Sequence, residues 1–159
     1  MSTSLFMVFM ACVAGVMGGL VLSNRTRNRE RYFAELLNLM DRLISDISFL
    51  QQPVDQILKM FECKSVHLSK NISEYLDFTQ GCDFSFSGTV LTKREAEIIK
   101  DFFDRLGTLD LNSQLNELSA KRSLFAQFHA AAEKRNNSFG KAYIKLGFLA
   151  GLAVGILLI

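Results

Sequence analysis

The chain has 159 residues, 49 % of them apolar, with 18 basic and 16 acidic side chains for a formal charge of +2, a total that says little until its distribution is read. The balance excludes a nucleic-acid binder of the usual kind: between residues 32 and 133 ten basic side chains face fifteen acidic ones, a net −5 that repels phosphate. Cys12, Cys63 and Cys82 are too widely spaced for a zinc pattern, and an odd count argues for reduced thiols.

Residues 5–22, LFMVFMACVAGVMGGLVL, carry no charge and would run about 27 Å as a helix, enough to cross a bilayer. Ala11, Gly15 and Gly19 recur every fourth position, a stripe on which another helix can pack closely. A secretory signal peptide fits less well, because the basic residues, Arg25, Arg27, Arg29 and Arg31, follow the apolar run instead of preceding it.

From Arg29 to Gln51, Phe33, Leu36, Met40, Leu43, Ile47 and Leu50 fall at steps of three and four, with Leu37 and Ile44 widening the stripe. This is an amphipathic helix with a 3.5-residue period that continues from the span before it. Pro53, the only proline, is expected at the first position of a second helix whose buried face is Val54, Ile57, Leu58 and Phe61. A third helix carries Leu68, Ile72, Tyr75, Leu76 and Thr79 on one side and stops at Gly81. In residues 82–91 Phe84 and Phe86 alternate with serines; with no partner strand elsewhere, the stretch reads as an ordered loop with both rings tucked against the bundle. Thr92 and Glu95 form a T-x-x-E capping box for a helix lined by Ala96, Ile99, Phe102, Phe103 and Leu106, which Gly107 ends.

Asp110 caps the last helix, and no glycine or proline interrupts the chain from Leu111 until Gly140. Leu115, Leu118, Phe125, Phe128, Ala132, Phe139 and Tyr143 keep one seam, interrupted by Arg122 and Asn136. Asn136, Asn137, Ser138 and Gly140 have low helix propensity, which fits either a hinge or the polar border of a membrane span. Residues 142–159 form the second apolar segment, with Gly147, Gly151 and Gly155 again every fourth residue; Lys145, one turn inside, can snorkel to the headgroups. Lys134, Arg135, Lys141 and Lys145 precede or enter it. Basic residues thus flank the inner side of both spans, so the positive-inside rule places the middle in the cytoplasm and both ends across the membrane. The expected layout is all-α: membrane helix 5–22, cytosolic antiparallel helical bundle or hairpin 23–141, membrane helix 142–159.

No residues suggest catalysis, a cofactor or a metal site. His67 and His129 stand far apart, and no phosphate-binding G-x-x-x-x-G-K-[ST] loop occurs. Glu95, Glu97, Asp101 and Asp104 alternate with Lys93, Arg94, Lys100 and Arg105 and read as a solvated face.

Two local patterns carry a resemblance. Residues 106–114, LGTLDLNSQ, have the form L-G-x-x-D-x-x-x-Q through Leu106, Gly107, Asp110 and Gln114, and residues 143–159 have the form Y-x-x-L-G-x-x-x-G with an aliphatic end. With the basic run after the first span and the heptad helix leading to Pro53, these resemble the stage III sporulation protein AB family of endospore-forming bacteria over nearly the whole chain. The resemblance implies a non-enzymatic component of the complex joining mother cell and forespore, a multi-pass protein of the outer forespore membrane whose helical domain faces the mother-cell cytoplasm. That domain is similar in the family to the cytoplasmic domains of the type II secretion platform protein. The implied partners are a secretion-type ATPase of the same sporulation set and its ring and channel subunits. From their charge and their distance from the membrane spans, and not from the resemblance, Glu95, Glu97, Asp101 and Asp104 on the capped helix are expected to contribute to an ATPase-facing surface. The alternative from the residues themselves is a homo-oligomeric membrane scaffold without a motor, its glycine stripes packing between subunits.

Overall fold

The computed structural model describes residues 2–50, 52–79 and 86–157. Within its two longest helices, the side chains of residues 2–9, 11, 12, 139–141, 143, 144, 147, 151, 152 and 154–157 lie outside that description. The described residues contain helices and no strand: α1 Ser2–Ser45, a π-helical turn Asp46–Leu50, α2 Val54–Lys59, α3 Val66–Thr79, α4 Lys93–Arg105 and α5 Leu111–Leu157. The all-α expectation holds. Gly81, Cys82 and Phe84 lie outside the described residues; Phe86 is half-buried, and the loop closes on the core through Val90 and Leu91, each 8 % exposed.

Two compact units divide the chain. One, Arg31–Ala130, holds most of the core. Here α1 contributes Tyr32, Phe33, Leu36, Leu39, Met40 and Leu43, all fully buried. The same core takes in Ile57 and Leu58 of α2, Leu68, Ile72 and Tyr75 of α3, Ile99, Phe102 and Phe103 of α4, and Leu118 and Phe125 of α5, all buried. Aromatic contacts thread this core in sequence. Tyr32 meets Phe33 at 5.8 Å, Phe33 meets Phe128 at 5.6 Å, Phe128 meets Phe125 at 6.4 Å and Phe125 meets Phe102 at 5.6 Å. Phe102 then meets Phe103 at 5.2 Å and Phe103 meets Tyr75 at 5.7 Å. At about 0.5–1.5 kcal/mol per pair beyond area burial, the chain ties α1, α5, α4 and α3 to one another. Polar groups close both of its ends: the Tyr32 hydroxyl accepts from Asn71 Nδ2 at 2.9 Å, and the Tyr75 hydroxyl donates to the Leu106 carbonyl at 2.8 Å. Burial raises both phenols, Tyr75 up to about 12 with the Asp55 carboxylate adding to it.

Three features depart from the sequence pattern. Leu50, expected on the buried stripe, is 61 % exposed, because the π turn inserts an extra residue and rotates the end of the helix off the seam. Pro53 stands one position earlier than expected, as the N-cap of α2, where its carbonyl accepts from the Gln56 and Ile57 amides. Arg122, an interruption of the apolar seam, instead ties α5 to α1 through a two-pronged contact with Asp41.

The other unit comprises Met1–Glu30 and Ala131–Ile159. Its boundaries fall inside the expected cytosolic segment, and Asn136 donates to Glu30 within it. Helix α5 runs through Asn136, Asn137, Ser138 and Gly140 without a break. Met10, Met17, Val21, Leu146 and Leu149 are each more than half exposed. Among the described residues no helix is long and apolar enough to cross a membrane; the side chains of residues 5–9, 11 and 12 of the first expected span and of most of the second lie outside the description.

Candidate functional site

The L-G-x-x-D-x-x-x-Q residues, scattered along nine positions of sequence, form one corner between α4 and α5. Helix α4 ends at Arg105, and Leu106 turns extended and is 2 % exposed, its carbonyl held by Tyr75. Gly107 follows at φ 78°, a left-handed conformation that a Cβ disfavours. Asp110 then caps α5, its Oδ2 accepting from the Ser113 amide at 3.2 Å while its carbonyl accepts from the Gln114 amide at 2.8 Å. The Ser113 hydrogen bonds hold the Asp110 carboxyl below its ordinary value. Gln114, 5 % exposed, reaches back with Oε1 to accept from the Gly107 amide at 3.1 Å. Asp110 and Gln114 therefore each satisfy a backbone amide that a tight helix-to-helix turn leaves open, Gly107 supplies the left-handed residue of the turn, and Leu106 buries its side chain beneath it. The role of Gln114 is not visible in the sequence; its only trace is a spacing of four from the capping aspartate, one helical turn.

The four acids of α4 separate. Glu95 leaves the acidic surface: it is 4 % exposed, and its Oε2 accepts from the Thr92 amide at 2.9 Å while Thr92 Oγ1 accepts from the Glu95 amide, the reciprocal capping box. Glu97 and Asp104 are exposed. Asp101 is half-buried between two cations, Arg105 at 2.9 Å and Lys121 of α5 at 2.8 Å, and the Lys121 contact is the main reason its carboxyl lies below the ordinary range. The acidic face that remains is Glu97, Asp101 and Asp104, with Asp101 also fastening α4 to α5.

Of the small-residue stripes, Gly19 is buried and Gly15 half-buried; the side-chain positions of Ala11, Gly147, Gly151 and Gly155 lie outside the described residues. Cys63 is a half-buried thiol that donates to the Ser65 carbonyl at 3.3 Å, and burial pushes it above its ordinary value. Among the described residues no group of three or more His, Cys, Asp or Glu is arranged to hold a metal ion.

Against known proteins, the profile of the family described as stage III sporulation protein AB matches residues 4–159. The chain belongs to that family. Its role is in stage III of sporulation, and stage III sporulation protein AB is a sporulation family and not a known enzyme family. No curated protein and no solved structure matches the chain.

Proposed function

We propose that this chain is a non-enzymatic platform component of the sporulation complex between mother cell and forespore, coupling a cytosolic ATPase to a membrane channel. Residues 5–22 and 142–159 anchor it in the outer forespore membrane, and the helices between them face the mother-cell cytoplasm. The observation that carries this reading is the family match over residues 4–159, which takes in both apolar ends as well as the helical core. The unit containing those ends supports anchoring, since Met10, Met17, Val21, Leu146 and Leu149 expose apolar area of a kind that lipid covers. In the other unit, the aromatic chain and the Arg122–Asp41 and Lys121–Asp101 bridges make a stiff pack of helices suited to passing on a push. Glu97, Asp101 and Asp104 give an ATPase an acidic surface to grip along α4, which Asp101 and Asp104 carry to the turn into α5.

Co-purification from detergent-solubilised membranes of sporulating cells tests the proposal. The sporulation ATPase should come down with the tagged chain, and reversing Glu97 and Asp104 to lysine should reduce its yield. Recovery of copies of the chain alone would favour the homo-oligomeric scaffold.

A further inference from the structure

The corner between α4 and α5 is one wall of an open groove of about 500 Å³, and nothing in the capping roles of its residues requires such a space. Val54, Phe78, Leu106, Leu109 and Leu111 supply most of its apolar lining. Its rim is apolar as well: Phe78 is 44 %, Leu109 42 % and Leu111 44 % exposed. Two carboxylates, Asp55 and Asp104, stand in the lining and no basic side chain does. Neither carboxylate makes an ion pair among the described residues.

We propose that this groove seats an amphipathic helix of a protein partner, with apolar side chains along one face and lysine or arginine at its edges. Apolar anchors from successive turns of such a helix fit an open cleft with an apolar floor, the usual helix-in-groove arrangement. Its cations meet Asp55 and Asp104, which supply register and partner choice more than bulk affinity. A membrane surface is a poor occupant, since anionic headgroups are repelled by those two carboxylates. A small polar ligand is poorly served too, because the buried polar side chains of the lining are already engaged, Gln114 Oε1 with the Gly107 amide and the Tyr75 hydroxyl with the Leu106 carbonyl. The proposal rests on reading this end of the chain as its partner-facing end.

The test is photo-cross-linking of the full chain in sporulating cells, with benzoylphenylalanine placed at position 109 or 111 and, as a control, at exposed Ser119 of α5, outside the groove. The expected result is an adduct from 109 and 111 but not from 119, in which mass spectrometry reads the joined peptide as a basic amphipathic helix. Asp55→Lys with Asp104→Lys should cut its yield at least tenfold, and Asp55→Asn with Asp104→Asn by less, with unchanged thermal melts for both. A second copy of this chain, a phospholipid, no adduct, or a yield insensitive to charge reversal would each overturn the proposal. If the ATPase co-purifies while the groove captures no such helix, this inference fails and the platform reading stands. If a basic helix is captured but no ATPase ever co-purifies, the platform reading fails and the groove assignment stands.

Discussion

The corner between α4 and α5 makes a demand on Gln114 that can be measured. Gln114→Ala removes the acceptor of the Gly107 amide, a part-buried hydrogen bond of 3.1 Å, and empties a side chain that is 5 % exposed. Leaving such a donor unpaired costs about 1–3 kcal/mol. Gly107→Ala acts differently. Its Cβ would lie 3.6 Å from Tyr75 Oη and 3.7 Å from Val54 Cγ2, ordinary contact distances, so the penalty is that of a Cβ at φ +78°, roughly 1–2 kcal/mol. If the substituted residue escapes the left-handed region, its amide no longer points at Gln114, and both substitutions then break the same bond. The double variant should therefore cost less than the sum of the singles, by on the order of 0.5–3 kcal/mol. Thermal melts of the full chain in non-ionic detergent, followed by circular dichroism, read this out; each kcal/mol moves the midpoint by about 4–8 °C in a domain of 60–100 residues. An unshifted melt for Gln114→Ala, or strict additivity in the cycle, would refute the account of the corner.

Tyr32 and Asn71 should behave as a pair: either Tyr32→Phe or Asn71→Leu alone costs about 1–3 kcal/mol, whereas the double variant is closer to neutral, because Asn71 Oδ1 already lacks a partner among the described residues. The same melts check it, and equal losses in single and double variants would contradict it. Gly88→Ala should cost about 1–3 kcal/mol through overpacking, since its Cβ would fall 2.9 Å from the Ala96 Cβ. Refolding yield and melt midpoint together report that loss. Stability should fall on both sides of neutrality. The Asp101 and Asp110 carboxyls, held below their ordinary 3.8 by Lys121 and by Ser113, contribute stability that is complete above that pH and lost as pH falls through their lower folded values. Tyr75, raised by burial from 10.0 to about 12, contributes stability complete below pH 10 and lost between the two values. Melts across pH should show both declines, the alkaline one smaller in Tyr75→Phe.

Much of this architecture is legible in the sequence because helices declare themselves by period. The steps of three and four through Phe33, Leu36, Met40 and Leu43 mark residues that are fully buried, and T-x-x-E before Ala96 marks a helix start with both reciprocal hydrogen bonds in place. The same capping box argues against placing Glu95 on the solvated face, since a carboxylate spent on the Thr92 amide is drawn in toward the helix end. Other features depend on contacts that no local pattern encodes. Arg122 and Asn136 break the apolar seam of α5, and only the packing of α1 against it shows Asp41 and Glu30 waiting as partners. The π turn after Ser45 has no compositional mark; a one-residue insertion in the helical phase is enough to move Leu50 from the seam to solvent. Gln114 reads as one more polar helix residue until Gly107 is placed beside it.

Membrane anchorage at both ends, with the helical middle facing the mother-cell cytoplasm, is the claim on which the platform role depends. Protease added to intact protoplasts of sporulating cells, with immunoblotting for an epitope inserted at the exposed Ser119 position, tests it most directly. The account predicts that the epitope survives in intact protoplasts and is digested once they are lysed. Digestion before lysis would put the middle of the chain on the other side of the membrane and contradict the account.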